Sequence, residues 1–305
     1  MTHPAIVVVA GATASGKSEF AERLGEQIGG EILNADSQQF YRGLNIGTGK
    51  VPVDRRRLPY WLLDICAPGE RMTAMDFVRR AEVLISEISG RGRVPILVGG
   101  TGLYLKALLE GLDDLPPRDS DLRFRLGEEA ERLGVEALHR RLAEIDPLSA
   151  ASISPQDPVR IVRYLEIAEL SGAKPSDLMR RQRPFSLRFP TETYWLRRDR
   201  EEQRTRIAER VDEMLNMGWL EEVRVLMSEG LDPRKLESRP IGYYELAEVI
   251  SGNLKLSEAR EKIVAQTRAY AKRQETFFRG MFSHAAYGRE GSRLHMLPGY
   301  PQAIS

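Results

Sequence analysis

Residues 5–18 read AIVVVAGATASGKS, and this stretch decides the fold class. An unbroken apolar run such as Ala5–Ala10 suits a strand buried on both faces of a parallel sheet. It leads directly into Gly11, Ala12, Thr13, Ala14, Ser15, Gly16, Lys17 and Ser18, which satisfy the pattern G-x-x-x-x-G-K-[ST]. Behind the loop, Lys17–Ile28 repeats its apolar residues at helical spacing. Strand, glycine loop and helix in that order separate a phosphate-binding loop from a chance glycine turn. Glycines let backbone N–H groups converge on phosphate oxygens, and the helix N-terminus adds a favourable dipole. Lys17 offers a point charge to the terminal phosphate, and the Ser18 hydroxyl is a candidate ligand for Mg²⁺. The loop specifies a diphosphate or a triphosphate without choosing between them.

Working outward, Glu31–Ala35 (EILNA) and Val94–Val98 (VPILV) read as two more short buried strands, and Asp76–Ile88 as a helix. Strand–helix–strand alternation predicts an α/β fold, a parallel sheet flanked by helices. The composition shifts at Leu115-Pro116-Pro117. From Asp119 to about Gly172 the chain shows helical periodicity only, with turn or cap signals at Asp119-Ser120 and Pro155–Pro158. Thr193–Leu196 (TYWL) is strand-like again, and long amphipathic helices follow it. The parse is a P-loop domain made of 1–114 and 191–305, interrupted by an all-helical insertion over 115–190. From about Ser283 the periodicity fades, which predicts a loose tail.

In parallel sheets ligands sit beyond the carboxyl ends of the strands, so the residues following each strand are candidates for chemistry. The second strand ends in Asp36-Ser37-Gln38-Gln39. If its strand lies beside the first, Asp36 stands near the phosphate loop and can serve as a general base. The alternative is a turn or helix cap made by Asp36 and Ser37. The strand at 94–98 runs into Gly99-Gly100-Thr101-Gly102, where an ordinary P-loop ATPase carries an acidic residue. Asp64, after Leu62-Leu63, is the alternative acid, and a local hydrogen-bond partner is the competing role for it. A phosphate loop without its usual hydrolytic partner favours group transfer from a diphosphate over energy-coupled hydrolysis.

Bulk properties narrow the field. With 45 Lys+Arg against 44 Asp+Glu the formal net charge is +1, so overall charge signals neither nucleic acid nor membrane. The distribution is less even, because Met179 to Arg210 holds ten arginines against five acidic residues. One cysteine, Cys66, rules out an internal disulfide and a cysteine-rich zinc site. The early apolar run is short and has no basic region before it, so neither a signal peptide nor a membrane span is expected. The expectation is a soluble, cytoplasmic, monomeric protein with no membrane partner.

Taken together, GATASGKS (11–18), DSQQFYRGLNIGTGK (36–50), GGTGLYLKALLEGL (99–112), RPIGYYEL (239–246) and TRAYAKRQETFFR (267–279) resemble the tRNA dimethylallyltransferases in order and spacing. The resemblance runs from about Ile6 to Arg279. It implies transfer of a dimethylallyl group from dimethylallyl diphosphate to N6 of adenosine 37, in tRNAs reading codons that begin with U. It also implies Mg²⁺, and an inserted helical domain that grips the anticodon stem-loop. Carried over residue by residue, Gly11–Ser18 bind the donor diphosphate, Asp36 is the general base, Thr101 lies near the reacting amine and Arg210 clamps the diphosphate. The RNA-contacting positions are Asp36, Ser37, Gln38, Gln39, Thr101, Arg123, Val159, Arg160, Ile161, Val162, Arg163, Arg239, Gly242, Tyr243, Lys272, Arg273, Gln274 and Arg279. The chain departs from the family at Ala12 (proline is usual), Gly49 (alanine) and Phe277 (tryptophan). None of these changes removes a proposed catalytic group.

Chemistry agrees with these roles. The exocyclic adenine amine is a poor nucleophile, so a carboxylate accepting its proton contributes about 10²–10⁴ in rate. The departing diphosphate gathers charge that Lys17, Arg210 and Mg²⁺ stabilise. Adenine must leave the anticodon loop to meet the donor, and basic residues interleaved with aromatics suit backbone contacts plus stacking. A solvated helix face is the competing reading for Arg210 and for many of the other arginines. Three other functions stand beside tRNA prenylation: prenyl transfer to a free adenine nucleotide, a nucleotide kinase with an arginine-rich lid, and a non-catalytic RNA-binding module. The first has no use for the insertion, and the last leaves Lys17 and Asp36 without a task.

Overall fold

The computed structural model describes residues 6–112, 115–180, 187–283, 287 and 292–298. The chain divides into two compact units, one built from the segments up to Gly111 and from Leu187 onward, the other from Leu112–Ser186. The larger unit opens with β1 (Ile6–Gly11), α1 (Lys17–Ile28), β2 (Gly30–Asn34), β3 (Tyr60–Trp61), α2 (Ala74–Gly90), β4 (Val94–Gly99) and α3 (Gly102–Leu109). Among the described residues, five helices form the smaller unit: α4 (Ser120–Leu133), α5 (Val135–Ile145), α6 (Pro147–Ala151), α7 (Pro158–Ser171) and α8 (Pro175–Arg180). The chain then returns with β5 (Thr191–Arg197), α9 (Arg200–Asn216), α10 (Trp219–Ser228), α11 (Tyr243–Ile250), α12 (Leu256–Met281) and β6 (Arg293–Pro298).

Among the described residues, six strands form one sheet in the order β3-β2-β4-β1-β5-β6, and each of these pairings is parallel. All six residues of β1 are buried, as a central strand covered on both faces requires. Ile6, Val8 and Ala10 face a core that includes Phe77 and Leu105, while Val7 and Val9 face Phe20 and Ala21 of α1 on the other side. Because the strands are parallel, the loops after β1, β2 and β4 emerge at one edge. That edge collects the phosphate loop, Asp36 and Thr101.

Two strands differ from expectation, and both lie at sheet margins. Tyr60–Trp61 spans two residues, paired to Ile32 and Leu33. Arg293–Pro298 falls within the segment expected to be a loose tail, yet it pairs with β5 along its whole length. Its pattern, RLHMLP, is too short and too polar to show a period. Pairing is set instead by the open edge of β5 and by the His295 ring, which stacks on Tyr194 with centroids 4.7 Å apart. No described helix is long and apolar enough to cross a membrane.

The smaller unit is held by leucine and isoleucine side chains at helical spacing, among them Leu122, Leu126, Leu138, Leu142, Ile161 and Leu165. Aspartates start its helices: Asp119 accepts from the Leu122 amide and Asp157 from the Arg160 amide, each satisfying a donor that the first turn leaves free. Asp146 does more. It is fully buried and accepts from the amides and hydroxyls of both Ser149 and Ser176. Burial raises its pKa, but those hydrogen bonds outweigh burial and hold the carboxyl below its ordinary range.

Candidate active site

The loop after β1 is shaped to leave amides free. Ala14 (φ 61°) and Gly16 (φ 86°) take left-handed backbone conformations, and Gly16 precedes α1 with no side chain capping the helix. The first N–H groups of α1 therefore have no side-chain acceptor, which makes a concave anion site. Gly11 is required by space: a Cβ there would overlap the Ser15 hydroxyl and the Leu196 carbonyl. Two glutamines from distant helices fix the loop. The Thr13 amide donates to Gln274 Oε1 (2.8 Å), and Gln203 Nε2 donates to the Thr13 carbonyl (3.2 Å). Gln274 Nε2 in turn donates to the Gly100 carbonyl at 2.9 Å, tying the phosphate loop to the loop after β4.

Asp36 is not on a neighbouring strand, because β4 lies between β1 and β2. The common edge brings it near Lys17 all the same, since both Lys17 and Arg210 feel its charge. Asn34 shapes the turn: its Oδ1 accepts from the Asp36 amide (3.0 Å), and its Nδ2 donates to the Leu62 carbonyl (3.0 Å). Asp36 Oδ1 accepts from the Gln38 amide at 3.0 Å, so the capping alternative describes a real contact. That contact uses one oxygen and leaves the carboxylate half-buried at a cleft. Thr101 Oγ1 accepts from the Ser37 amide at 2.9 Å and bonds to the Tyr270 hydroxyl. Burial, helped by the charge on Asp36, pushes the Tyr270 hydroxyl above its ordinary pKa and keeps it neutral.

Lys17 and Arg210 carry the electrostatics. Burial pulls Lys17 down to about 8, with Asp36 opposing the shift and Arg210 adding to it. Burial likewise lowers Arg210, again against Asp36. Neither cation makes an ion pair within 4.0 Å among the described residues. Two half-buried cations held near each other without a bound carboxylate form a site short of negative charge. Beside them lies a cleft of about 430 Å³, whose wall includes Thr13, Asp36, Thr101, Arg210, Tyr270 and Arg273. Arg210 thus faces the cleft from α9 rather than solvent. Asp64, the alternative acid, is instead the partner of Lys50 at 2.6 Å.

The positions matched to RNA contact divide. Ser37 and Gln38 line the cleft, as does exposed Arg239 at φ 40°. Gln39 Nε2 donates to the Thr48 carbonyl. Lys272, Arg273 and Arg279 are exposed along α12, and Arg273 lies over the Tyr270 ring at 5.6 Å. In the smaller unit Val159 and Arg160 are exposed. Ile161 and Val162 are buried in its core, while Arg163 and Arg123 turn to the buried Glu166. Gly242 and Tyr243 are buried as well, and the Tyr243 hydroxyl donates to Glu222. The side chains of Ile161, Val162, Tyr243 and Gln274 are used internally. Runs of consecutive helix positions include inward faces, and Gln274 is taken by the phosphate loop. Within the arginine-rich stretch, Arg181 and Arg183 lie outside the described residues.

Sequence reasoning missed Gln203, Tyr270 and Trp219. A signal existed in the i, i+4, i+7 spacing of Ile207, Val211 and Met214, which places Gln203 and Arg210 along an inward-facing side of α9. Among the described residues no group of three His, Cys, Asp or Glu side chains could hold a metal. These residues therefore offer no protein cage for Mg²⁺. The remaining fit is an ion bound with substrate phosphates, for which Ser18, next to Lys17, is suited.

The sequence profile of the family described as IPP transferase matches residues 39–281. The chain is 47% identical to a tRNA dimethylallyltransferase from Anaeromyxobacter sp. (strain Fw109-5), over 90% of this chain and 91% of that one. It is 44% identical to the tRNA dimethylallyltransferase of Geobacter sulfurreducens, over 90% of this chain and 88% of the other. Among solved structures it is similar to a full-length tRNA isopentenylpyrophosphate transferase from Bacillus halodurans, with a TM-score of 0.66 at 34% identity, covering 97% and 91% of the two chains. It is also similar to a eukaryotic dimethylallyltransferase captured acting on tRNA, with a TM-score of 0.78 at 28% identity, covering 96% of this chain and 73% of that one.

Proposed function

The chain belongs to the IPP transferase family, and from that premise we propose that it moves a dimethylallyl group from dimethylallyl diphosphate to N6 of adenosine 37 in tRNAs reading codons that begin with U. The product is N6-(dimethylallyl)adenosine. One observation carries the reading at the level of residues: a half-buried carboxylate, Asp36, held among two cations that have no ion-pair partner among the described residues, at the edge of a cleft.

In this reading the phosphate loop Gly11–Ser18 binds the donor diphosphate through its free amides and Lys17. Arg210 closes on the diphosphate from α9. Asp36 takes the amine proton as the N6–C1 bond forms, while the C1–O bond breaks and its electron pair leaves on the diphosphate. Lys17 and Arg210 stabilise that charge in a site already arranged for it, which is worth more than reorganising water around it. Thr101, held between Ser37 and Tyr270, positions the amine. Ser18 would be the residue to hold a Mg²⁺ ion, which would add charge neutralisation at the diphosphate. The smaller unit contacts the anticodon stem-loop, and the exposed cations of α12 bind tRNA phosphates. The reading takes the enzyme to act in the cytoplasm as a monomer.

The test is incubation with labelled dimethylallyl diphosphate and, separately, unmodified tRNA, AMP and ATP. Label entering tRNA at adenosine 37 is the expected result. Label entering AMP or ATP instead, or phosphate transfer from ATP without prenylation, would overturn the reading.

A further inference from the structure

The cleft wall carries polar and apolar side chains together, and α9 supplies Ile207, Arg210, Val211 and Met214 to it. Near the start of that helix Gln203 touches the phosphate loop at Thr13. At 1.5 Å per residue, Arg210 lies about 10 Å further along and Met214 about 6 Å beyond that. Gly49 links these two, because a Cβ there would overlap the Arg210 guanidinium and come within 3.3 Å of the Met214 methyl. Past the end of α9, Trp219 is also part of the cleft wall.

Trp219 is closely enclosed by Gly47, Gly242 and Tyr243. It is 1% exposed, although it lines the cleft. Gly47 and Gly242 both yield space to its ring, and a Cβ at either would overlap it. Tyr243 meets the ring edge-on with centroids 5.7 Å apart. Glu222, one turn along α10, accepts from the Tyr243 hydroxyl (2.6 Å) and from the Ile46 amide (2.8 Å), so the loop carrying Gly47 and the ring beside the indole share one anchor. Trp219 is therefore both part of the buried core and part of the cleft wall, with two glycines making room for its ring.

We propose that Trp219 sets the length of the allylic donor, closing the cleft behind the dimethylallyl methyls and excluding chains one isoprene unit longer. The proposal rests on the reading that the cleft binds an allylic diphosphate. With the diphosphate held between the phosphate loop and Arg210, the hydrocarbon lies along Val211 and Met214, and its end meets the indole. A longer donor must displace Trp219, which Gly47, Gly242 and Tyr243 leave no room to do. Bond making and breaking are the same for either donor: N6–C1 forms, C1–O breaks, the amine proton goes to Asp36, and diphosphate leaves.

The experiment compares kcat/KM for dimethylallyl and geranyl diphosphate on unmodified tRNA, in the wild type, Trp219→Leu and Trp219→Phe. The wild type should disfavour the geranyl donor by about 100-fold or more, the scale of steric discrimination in an apolar pocket. Trp219→Leu should raise the geranyl-to-dimethylallyl ratio by about 100-fold, and Trp219→Phe by less. The ratio is internal to each preparation, so partial loss of folded protein does not distort it. If Trp219→Leu does not fold, Trp219→Phe carries the comparison. An unchanged ratio in the variants, or a wild type that uses both donors equally, overturns the assignment. A wild type that transfers neither group to tRNA overturns the underlying function instead.

Discussion

Asp146 and Asp36 each stand just past the end of a regular element, and their surroundings are opposite. Asp146 is buried and accepts from two amides and two hydroxyls. Asp36 accepts one amide, from Gln38, and shares its cleft with Lys17 and Arg210, which have no ion-pair partner of their own among the described residues. A carboxylate whose acceptor capacity is filled by fixed donors has become part of the fold. One with capacity left over, in a field of unneutralised cations, is available to a substrate. If this contrast is right, substitutions should separate rate from stability at the two positions.

The largest effect is expected at Asp36. Asp36→Asn keeps an acceptor for the Gln38 amide and removes the proton acceptor. Single-turnover prenyl transfer should slow by about 10²–10⁴-fold, while thermal stability and tRNA affinity change little. A near-normal rate together with a lowered melting temperature would make Asp36 a turn residue like Asp146 and erase the contrast.

Asp146→Ala should do the reverse. It leaves the Ser149 and Ser176 donors buried without an acceptor, at a cost of about 2–4 kcal/mol. Hydrogen exchange should show the loss first in α5, α6 and α8, with donor binding intact. Acid gives the same comparison without mutation. Because the Asp146 carboxyl is held below its ordinary range, its contribution is present above the unfolded value of about 4 and is lost as pH falls below it. Protection of those amides should therefore fade below about pH 4. Protection that persists in Asp146→Ala would mean the four hydrogen bonds are not what holds the turn.

Lys17 tests the cleft from the cation side. Its pKa of about 8 lies below the ordinary lysine value, so between about 8 and 10.5 the unfolded chain holds the proton more tightly. The charged lysine therefore costs stability at neutral pH, a cost that declines as pH rises through that window. Lys17→Met should raise stability by about 1 kcal/mol, the scale of removing strain stored at a functional site. It should weaken dimethylallyl diphosphate by about 10–100-fold, as loss of a charged hydrogen bond does. In the wild type, donor affinity should fall as pH rises above about 8. A Lys17→Met protein less stable than its parent would place Lys17 among the structural charges.

The smallest effect is expected on the outer surface. Lys272→Ala with Arg273→Ala should reduce the slope of log affinity for tRNA against log salt by about 1 for each phosphate that the side chains no longer neutralise. Donor binding should be unaffected. An unchanged slope would move the RNA path away from α12.

Much of the larger unit was legible in the sequence. The buried run at 5–10, the glycine loop and the periodicity of Lys17–Ile28 are all local, and each reports directly on backbone geometry. The helical character of the smaller unit was equally plain, since its aspartate caps and leucine spacing also operate within a few residues. The margins were not legible. Tyr60–Trp61 and Arg293–Pro298 become strands through the free edge of a neighbour, information that no short window holds. At the site, the motifs named Asp36, Thr101 and Arg210, and the cleft brings those three together. They could not tell Arg160, which is exposed, from its neighbour Ile161, which is buried, or show that Gln274 belongs to the phosphate loop.

What the sequence alone determined is whatever depends on neighbours along the chain: a phosphate loop opening a helix, an α/β alternation and a helical insertion. Tertiary structure decided which charges would go unneutralised. Lys17, Asp36 and Arg210 are far apart in sequence, on α1, after β2 and on α9, and only the parallel crossovers bring them to one sheet edge. Coulomb energy and burial depend on distance in space. The pKa of Lys17 and the inward turn of Arg210 therefore exist only once the chain has folded.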